Sequence, residues 1–139
     1  MAFKHEKSLH GTPALEREFP VENGHTVSQG DLVAFALGNG TVRGLQTNNQ
    51  RVVGLCVSPG DSVGDALGTV LVRVIVDPTA VYRTPRAGLA LATVQPGDLL
   101  DVNGTADGIA ANVNGDLVVW EYDSIKDDVM VQCANAAFI

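Results

Sequence analysis

One serine lies in a pattern typical of a hydrolase nucleophile. Gly60-Asp-Ser-Val-Gly64 matches the nucleophile elbow, in which a sharp turn between a strand and a helix exposes a serine such as Ser62 for attack. The context does not fit, because a β-like run follows Gly64 and the three histidines, at positions 5, 10 and 25, all precede the serine. We therefore interpret this segment as an ordinary turn and assign no catalytic residue.

A second segment resembles a cation-binding loop. Asp101-Val-Asn-Gly-Thr-Ala-Asp-Gly108 places carboxylate and amide oxygens at alternate positions, which suits a hard cation such as Ca²⁺. The EF-hand needs glycine at the sixth loop position and glutamate at the twelfth, where this chain has Ala106 and Asn112. We expect a hairpin with solvated aspartates, with a looser Ca²⁺ site as the alternative, and assign no metal ligand and no cofactor.

Two cysteines lie inside valine-rich runs. Cys56 and Cys133 are expected to be buried free thiols, because the chain starts without the apolar segment of a secretion signal. No run of about 18 apolar residues occurs, so we also expect no membrane span and no membrane partner.

Composition indicates a single globular domain. The chain has 139 residues, of which 45% are hydrophobic and 18% are charged, so it can bury a core. The net charge of -7 arises entirely after Arg86, where Lys126 is the one basic residue among eight acidic ones. This charge disfavours nucleic acid as a partner, and the acidic region is interpreted as a solvated rim or a contact for a basic partner.

Short turns and valine-rich runs predict an all-β fold of about eight to ten strands. Asn-Gly, the dipeptide that favours tight hairpins, occurs at 23–24, 39–40, 103–104 and 114–115. Six runs between turns have strand length and strand composition: 31–37, 51–57, 69–76, 98–102, 117–122 and 128–133. The residues expected to face the core are Val70, Val72, Val74, Val76, Val129, Val131 and Cys133.

The run 69–76 also offers a candidate oligomer interface. Its alternate valines share one face of the predicted strand, which leaves the opposite face partly apolar and partly charged. A mixed outward face of this kind suits a contact between subunits. The candidate interface residues are Leu71, Arg73 and Ile75.

The chain contains a weak internal repeat. Val27-Ser-Gln-Gly-Asp-Leu32 resembles Val94-Gln-Pro-Gly-Asp-Leu99, and Asn39-Gly-Thr41 resembles Asn103-Gly-Thr105. Two explanations stay open at this point: a duplicated β unit, or turn chemistry that arose twice.

Residues 1–24 differ in composition from the rest and predict an extended arm. They contain all but one of the lysines and only scattered apolar side chains, and fully extended they would reach about 80 Å. A frayed terminus is the alternative. The expected anchors on another surface are Phe3, Leu9, Leu15, Phe19 and Val21, with Lys4, Lys7 and Arg17 available to meet acidic patches.

Several segments together resemble the capsid decoration, or cement, proteins of tailed bacteriophages. They are Val27-Ser-Gln-Gly-Asp-Leu-Val33, Val70–Val76, Gly97-Asp-Leu-Leu100, Leu117-Val-Val-Trp-Glu-Tyr122 and Val129-Met-Val-Gln132, and the resemblance covers about residues 25–139. It implies a small β-barrel or β-tulip domain that trimerises on the outside of the phage head and clamps neighbouring capsomers. The resemblance implies no catalytic residue.

The sequence therefore predicts an arm at 1–24 and a β-barrel decoration domain at 25–139. The expected function is that of a non-enzymatic virion protein, made in the host cytoplasm and placed on the capsid exterior. Its expected partners are the major capsid protein and further copies of itself, as a homotrimer. The alternatives are a β-barrel binding module of carbohydrate-binding or tail-fibre type, and a small β-barrel enzyme. Trp120 and Tyr122 share a predicted strand face with Val118 and are expected in the core or an interface.

Overall fold

A computed structural model describes residues 2–9, 15–36, 40–45, 52–65, 69–111 and 115–134. These residues form β-strands, turns and one turn of 3-10 helix at Leu91–Thr93, and they contain no α-helix. The all-β prediction is confirmed. In chain order the strands are β1 (Lys4–Ser8), β2 (Leu15–Pro20), β3 (Thr26–Val27), β4 (Leu32–Phe35), β5 (Val42–Gly44), β6 (Val52–Ser58), β7 (Gly60–Asp61), β8 (Leu71–Val76), β9 (Ala80–Pro85), β10 (Leu99–Val102), β11 (Ile109–Ala110), β12 (Leu117–Asp123) and β13 (Asp128–Cys133).

Two antiparallel sheets account for most of the fold. The first sheet has the order β2-β8-β6-β4-β5, and the second has the order β1-β9-β13-β12-β10-β11. Strands β3 and β7 form a separate two-stranded ladder. All six strand-like runs of the sequence appear as β4, β6, β8, β10, β12 and β13, with residue 37 and residue 51 outside the described ranges.

The two sheets have the same topology once β1 is set aside. If the five strands of each sheet are numbered one to five in chain order, both sheets have the strand order 1-5-4-2-3. The first sheet uses β2, β4, β5, β6 and β8 for these places, and the second uses β9 to β13. Turn chemistry that arose twice would not fix a shared strand order, so the topology favours duplication.

The repeated Gly-Asp turns also match in atomic detail. Gly30 and Gly97 adopt φ angles of 91° and 90°, a region that suits glycine because it has no Cβ. The carboxylates of Asp31 and Asp98 each accept the backbone N–H three residues earlier, at 2.9 Å and 3.0 Å. The two turns are therefore built by the same hydrogen bonds.

Each Gly-Asp turn holds the neighbouring strand at the same point. Gly30 donates its N–H to the carbonyl of Cys56, and Gly97 donates to that of Val119, at 2.9 Å in both cases. Just beyond these carbonyls the register of β6 against β8 shifts between Cys56 and Ser58, and that of β12 against β13 shifts between Val119 and Glu121. A shared bulge position is a further sign that the sheets are structural repeats.

The second sheet packs its inner face onto the outer face of the first. The larger core cluster joins side chains of both sheets, including Leu55 and Ile75 from the first and Tyr82 and Val131 from the second. A second cluster contains Val33, Val72 and other residues of the first sheet and its flanking loops. Strands β4 and β6 of the first sheet are consequently buried on both faces, which explains why they are nearly continuous apolar runs.

The first sheet curls around its own core. A parallel bridge joins Val21, just after β2, to Val42 of β5, so the two edges of the sheet meet at one end. The outcome is a barrel-like sandwich, and among the described strands no sheet closes fully. Of the expected core residues, Val72, Val74, Val129 and Val131 are buried, whereas Val70, Val76 and Cys133 are partly buried against the clusters.

The N-terminal segment is extended, but it does not form a separate arm. β1 pairs with β9 in the second sheet, and β2 pairs with β8 in the first. Within the expected arm at 1–24, both described strands therefore belong to the two sheets. The physical reason is that an edge strand gains a ladder of backbone hydrogen bonds and needs only a few apolar side chains to dock.

Candidate binding surfaces

The expected arm residues separate into buried and exposed groups. Phe3, Phe19 and Val21 have exposed fractions of 2%, 7% and 1%, so they stabilise the fold and are not available to a partner. The remaining residues are exposed along two edge strands and their ends, where they stay available for contact: Lys4, Lys7, Leu9, Leu15 and Arg17.

The candidate interface on β8 is only partly exposed. Leu71 is 48% exposed, and Arg73 lies at the surface with its guanidinium 3.8 Å from the carboxylate of Glu16. Ile75 is 9% exposed and belongs to the larger core cluster, so in the single chain its side chain is buried. Sequence periodicity placed it outward, but the second sheet covers the outer face of the first at this point.

A different apolar surface lies on the outer face of the second sheet. Leu99 of β10 and Val118 of β12 are directly paired across the two strands, and Trp120 follows on β12. Leu99 is 45% exposed and Trp120 is 39% exposed. We call these three residues the outer patch. The Nζ of Lys7 lies 5.3 Å from the centroid of the Trp120 ring, a cation-π contact that covers one face of the indole.

The bulge in β12 places Trp120 and Tyr122 in different surroundings. Strict alternation puts Trp120 and Tyr122 on one face. The register shift between Val119 and Glu121 breaks that alternation, and Tyr122 packs against the larger core cluster while Trp120 lies at the surface. A bulge cannot be identified reliably from a single sequence. The sequence therefore places Trp120 in a core or an interface without deciding between them.

An ion-pair network joins β1 to other strands of the second sheet. The Arg83 guanidinium lies 3.1 Å from a carboxylate oxygen of Glu6, 2.9 Å from one of Asp123 and 3.4 Å from one of Asp128. The hydrogen bond from Arg83 lowers the pKa of Glu6 and that of Asp123. These groups fix strand β1 at the sheet edge rather than form an acid and base pair.

The β12–β13 hairpin is held by a second charged cluster. Asp127 adopts a left-handed φ of 55°, and its carboxylate accepts from the Arg86 guanidinium at 2.7 Å and from the Tyr122 hydroxyl at 2.5 Å. Both bonds lower the pKa of Asp127, the one to Arg86 more strongly. The turn between β12 and β13 is thus held by side chains at its base.

Ser62 is a turn residue and is not displayed for attack. Its side chain is fully buried, and its hydroxyl lies within hydrogen-bond distance of the carbonyls of Glu22 and of His25, the latter at 2.9 Å. The hydroxyl also accepts the backbone N–H of His25 at 3.1 Å. A buried hydroxyl engaged by backbone groups holds two loops together, which agrees with the turn interpretation.

The side-chain oxygen atoms of the loop at 101–108 accept hydrogen bonds from backbone N–H groups of the chain. The side-chain carbonyl of Asn103 accepts the N–H groups of Thr105 and Asp107, both at 3.2 Å, and Asp101 accepts the N–H of Gly115 at 2.8 Å. Within the described ranges, no group of three or more His, Cys, Asp or Glu side chains could share a metal ion. The geometry is that of an Asx turn.

Two further carboxylates are buried in turns. Desolvation raises the pKa of Asp31 and of Asp116, and each accepts a backbone N–H, from Ser28 at 2.9 Å and from Val102 at 3.2 Å. The two thiols are free, and burial raises the pKa of Cys56 to about 11 and that of Cys133 to about 12. Neither thiol has the lowered pKa of a reactive nucleophile.

No helix among the described residues has the length and apolar character that a membrane crossing requires. No protein-family model matches the chain, and a search of curated proteins finds no significant match.

Proposed function

We propose that the protein is a structural virion protein that binds the outside of a phage capsid as an oligomer and stabilises the head by clamping neighbouring capsomers. The observation that carries the proposal is that, within the described residues, the polar side chains that could do chemistry instead form hydrogen bonds that hold turns. Ser62, Asn103 and Asp31 all hold turns, so the candidate chemical groups serve the fold. The resemblance to decoration proteins supplies the capsid as partner.

The proposed mechanism is added contact area rather than chemistry. Packaged DNA pushes capsomers apart, and a protein that spans their joints adds apolar burial at about 25 cal/mol per Å². The edge strands β1 and β2 provide exposed side chains for this purpose, including Lys4, Leu15 and Arg17. In this proposal the protein is non-enzymatic, forms a homotrimer and resides on the capsid exterior.

Electron microscopy of the source particle tests the proposal. We expect density for this chain on the outer capsid lattice, and its absence from purified particles would contradict the proposal. A binding assay adds residue detail: purified chain is sedimented with capsids that lack it. Leu15→Glu should weaken attachment, whereas Val63→Glu, at a similarly exposed residue in the turn after β7, should not.

An exposed tryptophan gives a second candidate function, that of a carbohydrate-binding module. Sugars stack on indole rings, and Trp120 is 39% exposed. The contact of Lys7 with one face of the ring reduces the area available for stacking, which favours the capsid proposal. A glycan array separates the two, because sugar binding that Trp120→Ala abolishes would support the module.

A further inference from the structure

We propose that the outer patch, formed by Leu99, Val118 and Trp120, is the surface through which this chain binds a second copy of itself. The inference rests on the oligomer in the proposed function and is independent of the capsid. It replaces the β8 face as the contact between copies.

The first argument comes from the internal repeat. Leu32 and Leu99 each follow a Gly-Asp turn, and they pair directly with Leu55 and Val118. In the first sheet this pair is covered by the second sheet, with exposed fractions of 0% for Leu32 and 3% for Leu55. In the second sheet the equivalent Leu99 is 45% exposed. The outer patch therefore occupies a position that, in the first sheet, is covered by another sheet of the same chain.

The bulge extends the comparison. The residue at the register shift is Val57 in β6 and Trp120 in β12. Val57 packs against the larger core cluster, whereas Trp120 lies at the surface. Large aromatic side chains in this position are typical anchors of protein contacts, because they bury much apolar area with few rotatable bonds.

The occupant is argued from self-complementarity. A groove of about 260 Å³ lies beside Leu99, lined also by Ala92, Thr93 and Asp98. Each copy thus has a projecting ring and a groove on the same side of the molecule. A contact repeated around a threefold axis would place the Trp120 ring of each copy against the groove of the next.

Charge agrees with this arrangement. Lys7 lies over the Trp120 ring, and Asp98 lies beside the groove, so the two flanks of the outer patch carry opposite charges. The same rotation that brings ring to groove also brings Lys7 of one copy toward Asp98 of the next. Opposite charges at a rim direct the orientation of the contact more than they strengthen it.

Sedimentation equilibrium of the purified chain tests the proposal without any capsid. We expect a mass above the 14.5 kDa of one chain, increasing with concentration. Leu99→Glu should weaken association by about tenfold or more, because a carboxylate would be buried in the contact. The matched control is Leu71→Glu on β8, where the leucine is 48% exposed and association should be unchanged.

A charge variant checks the orientation. Lys7→Glu should weaken association and Lys7→Arg should preserve it. Circular dichroism and thermal unfolding confirm that each variant is folded, which the exposure of these residues allows.

The outcomes are distinct. A wild-type mass of 14.5 kDa at all concentrations, or an oligomer that Leu71→Glu disrupts and Leu99→Glu does not, would overturn the inference. Loss of capsid binding in Leu99→Glu with its oligomer intact would also overturn it, since the patch would then serve the capsid and the proposed function would stand. An oligomer lost with Leu99→Glu supports the inference even if the chain binds no capsid.

Discussion

Arg83 and Glu6 form a two-bond ion pair between β9 and β1. The guanidinium Nε and Nη2 donate to the two carboxylate oxygens at 3.1 Å and 3.2 Å. Parallel bonds of this kind fix both the distance and the orientation of two side chains. Strand β1, at the edge of the second sheet, is thereby held by charge as well as by its backbone ladder.

This pair predicts acid sensitivity. The hydrogen bond from Arg83 holds the pKa of Glu6 below its usual value of 4.5, so the carboxylate stabilises the fold above that pH and loses this effect as the pH falls through the lowered value. We expect Glu6→Gln to cost at most about 1 kcal/mol at pH 7, because the pair is partly solvated, and to cost less at pH 3. Urea unfolding at the two pH values measures this difference in free energy. Glu16→Gln is the control, because Glu16 forms a longer ion pair, at 3.8 Å from Arg73.

The burial of Phe3 predicts that the N-terminus stabilises the domain. Phe3 is 2% exposed in the larger core cluster, so Phe3→Ala should cost about 3 kcal/mol in the free energy of unfolding, whereas Leu9→Ala, at a residue 42% exposed, should cost little. Urea unfolding of both variants checks the difference.

Truncation gives a coarser version of the same test. Deleting residues 1–20 removes β1 and β2, and we expect the melting temperature to fall sharply or folding to fail. An unchanged melting temperature would show that the segment is a free arm after all.

Gly54 predicts a steric limit in the first sheet. A Cβ at this position would lie 1.8 Å from the carbonyl oxygen of Ile75, a backbone atom that cannot move without breaking the β6–β8 ladder. Gly54→Ala should therefore abolish or strongly reduce stable folding. Gly104→Ala is the control, because nothing lies within 4 Å of its added Cβ. Soluble yield and thermal unfolding compare the two variants.

Burial predicts unreactive thiols. With the pKa of Cys56 raised to about 11, on the order of one thiol in a thousand is ionised at pH 8. We expect both cysteines to react with a thiol-specific reagent at least about tenfold more slowly in the folded protein than in denaturant. Rapid labelling of the folded chain would contradict the placement, and Cys56→Ala identifies the residue responsible.

The strands that sequence analysis located are those whose stability comes from their own side chains. The valine-rich runs 71–76 and 128–133 bury Val72 and Val74 in one case and Val129 and Val131 in the other, and the alternate spacing of these valines is visible in the sequence. β9 was missed because Pro78 precedes it, Pro85 ends it and the run between them includes Arg83. Its partners β1 and β13, which lie on either side, determine its place in the sheet.

The candidate surfaces were predicted less completely, for a related reason. Whether Ile75 and Trp120 face solvent depends on which sheet covers which, and on one bulge. Neither is a local property of the chain. The turn at Ser62 could be interpreted correctly because the glycines around it and the absence of a following helix pattern are local features.

The pairing of β1 with β9 constrains the order in which the molecule assembles during synthesis. Strand β2 and the rest of the first sheet are complete once Val76 has left the ribosome, but β1 has no partner until Ala80–Pro85 follows. The core cluster that buries Phe3 includes Val129 and Val131 of β13, so it is complete only after that strand has been synthesised. Strand β1 therefore joins its sheet only after every strand of the first sheet has been synthesised.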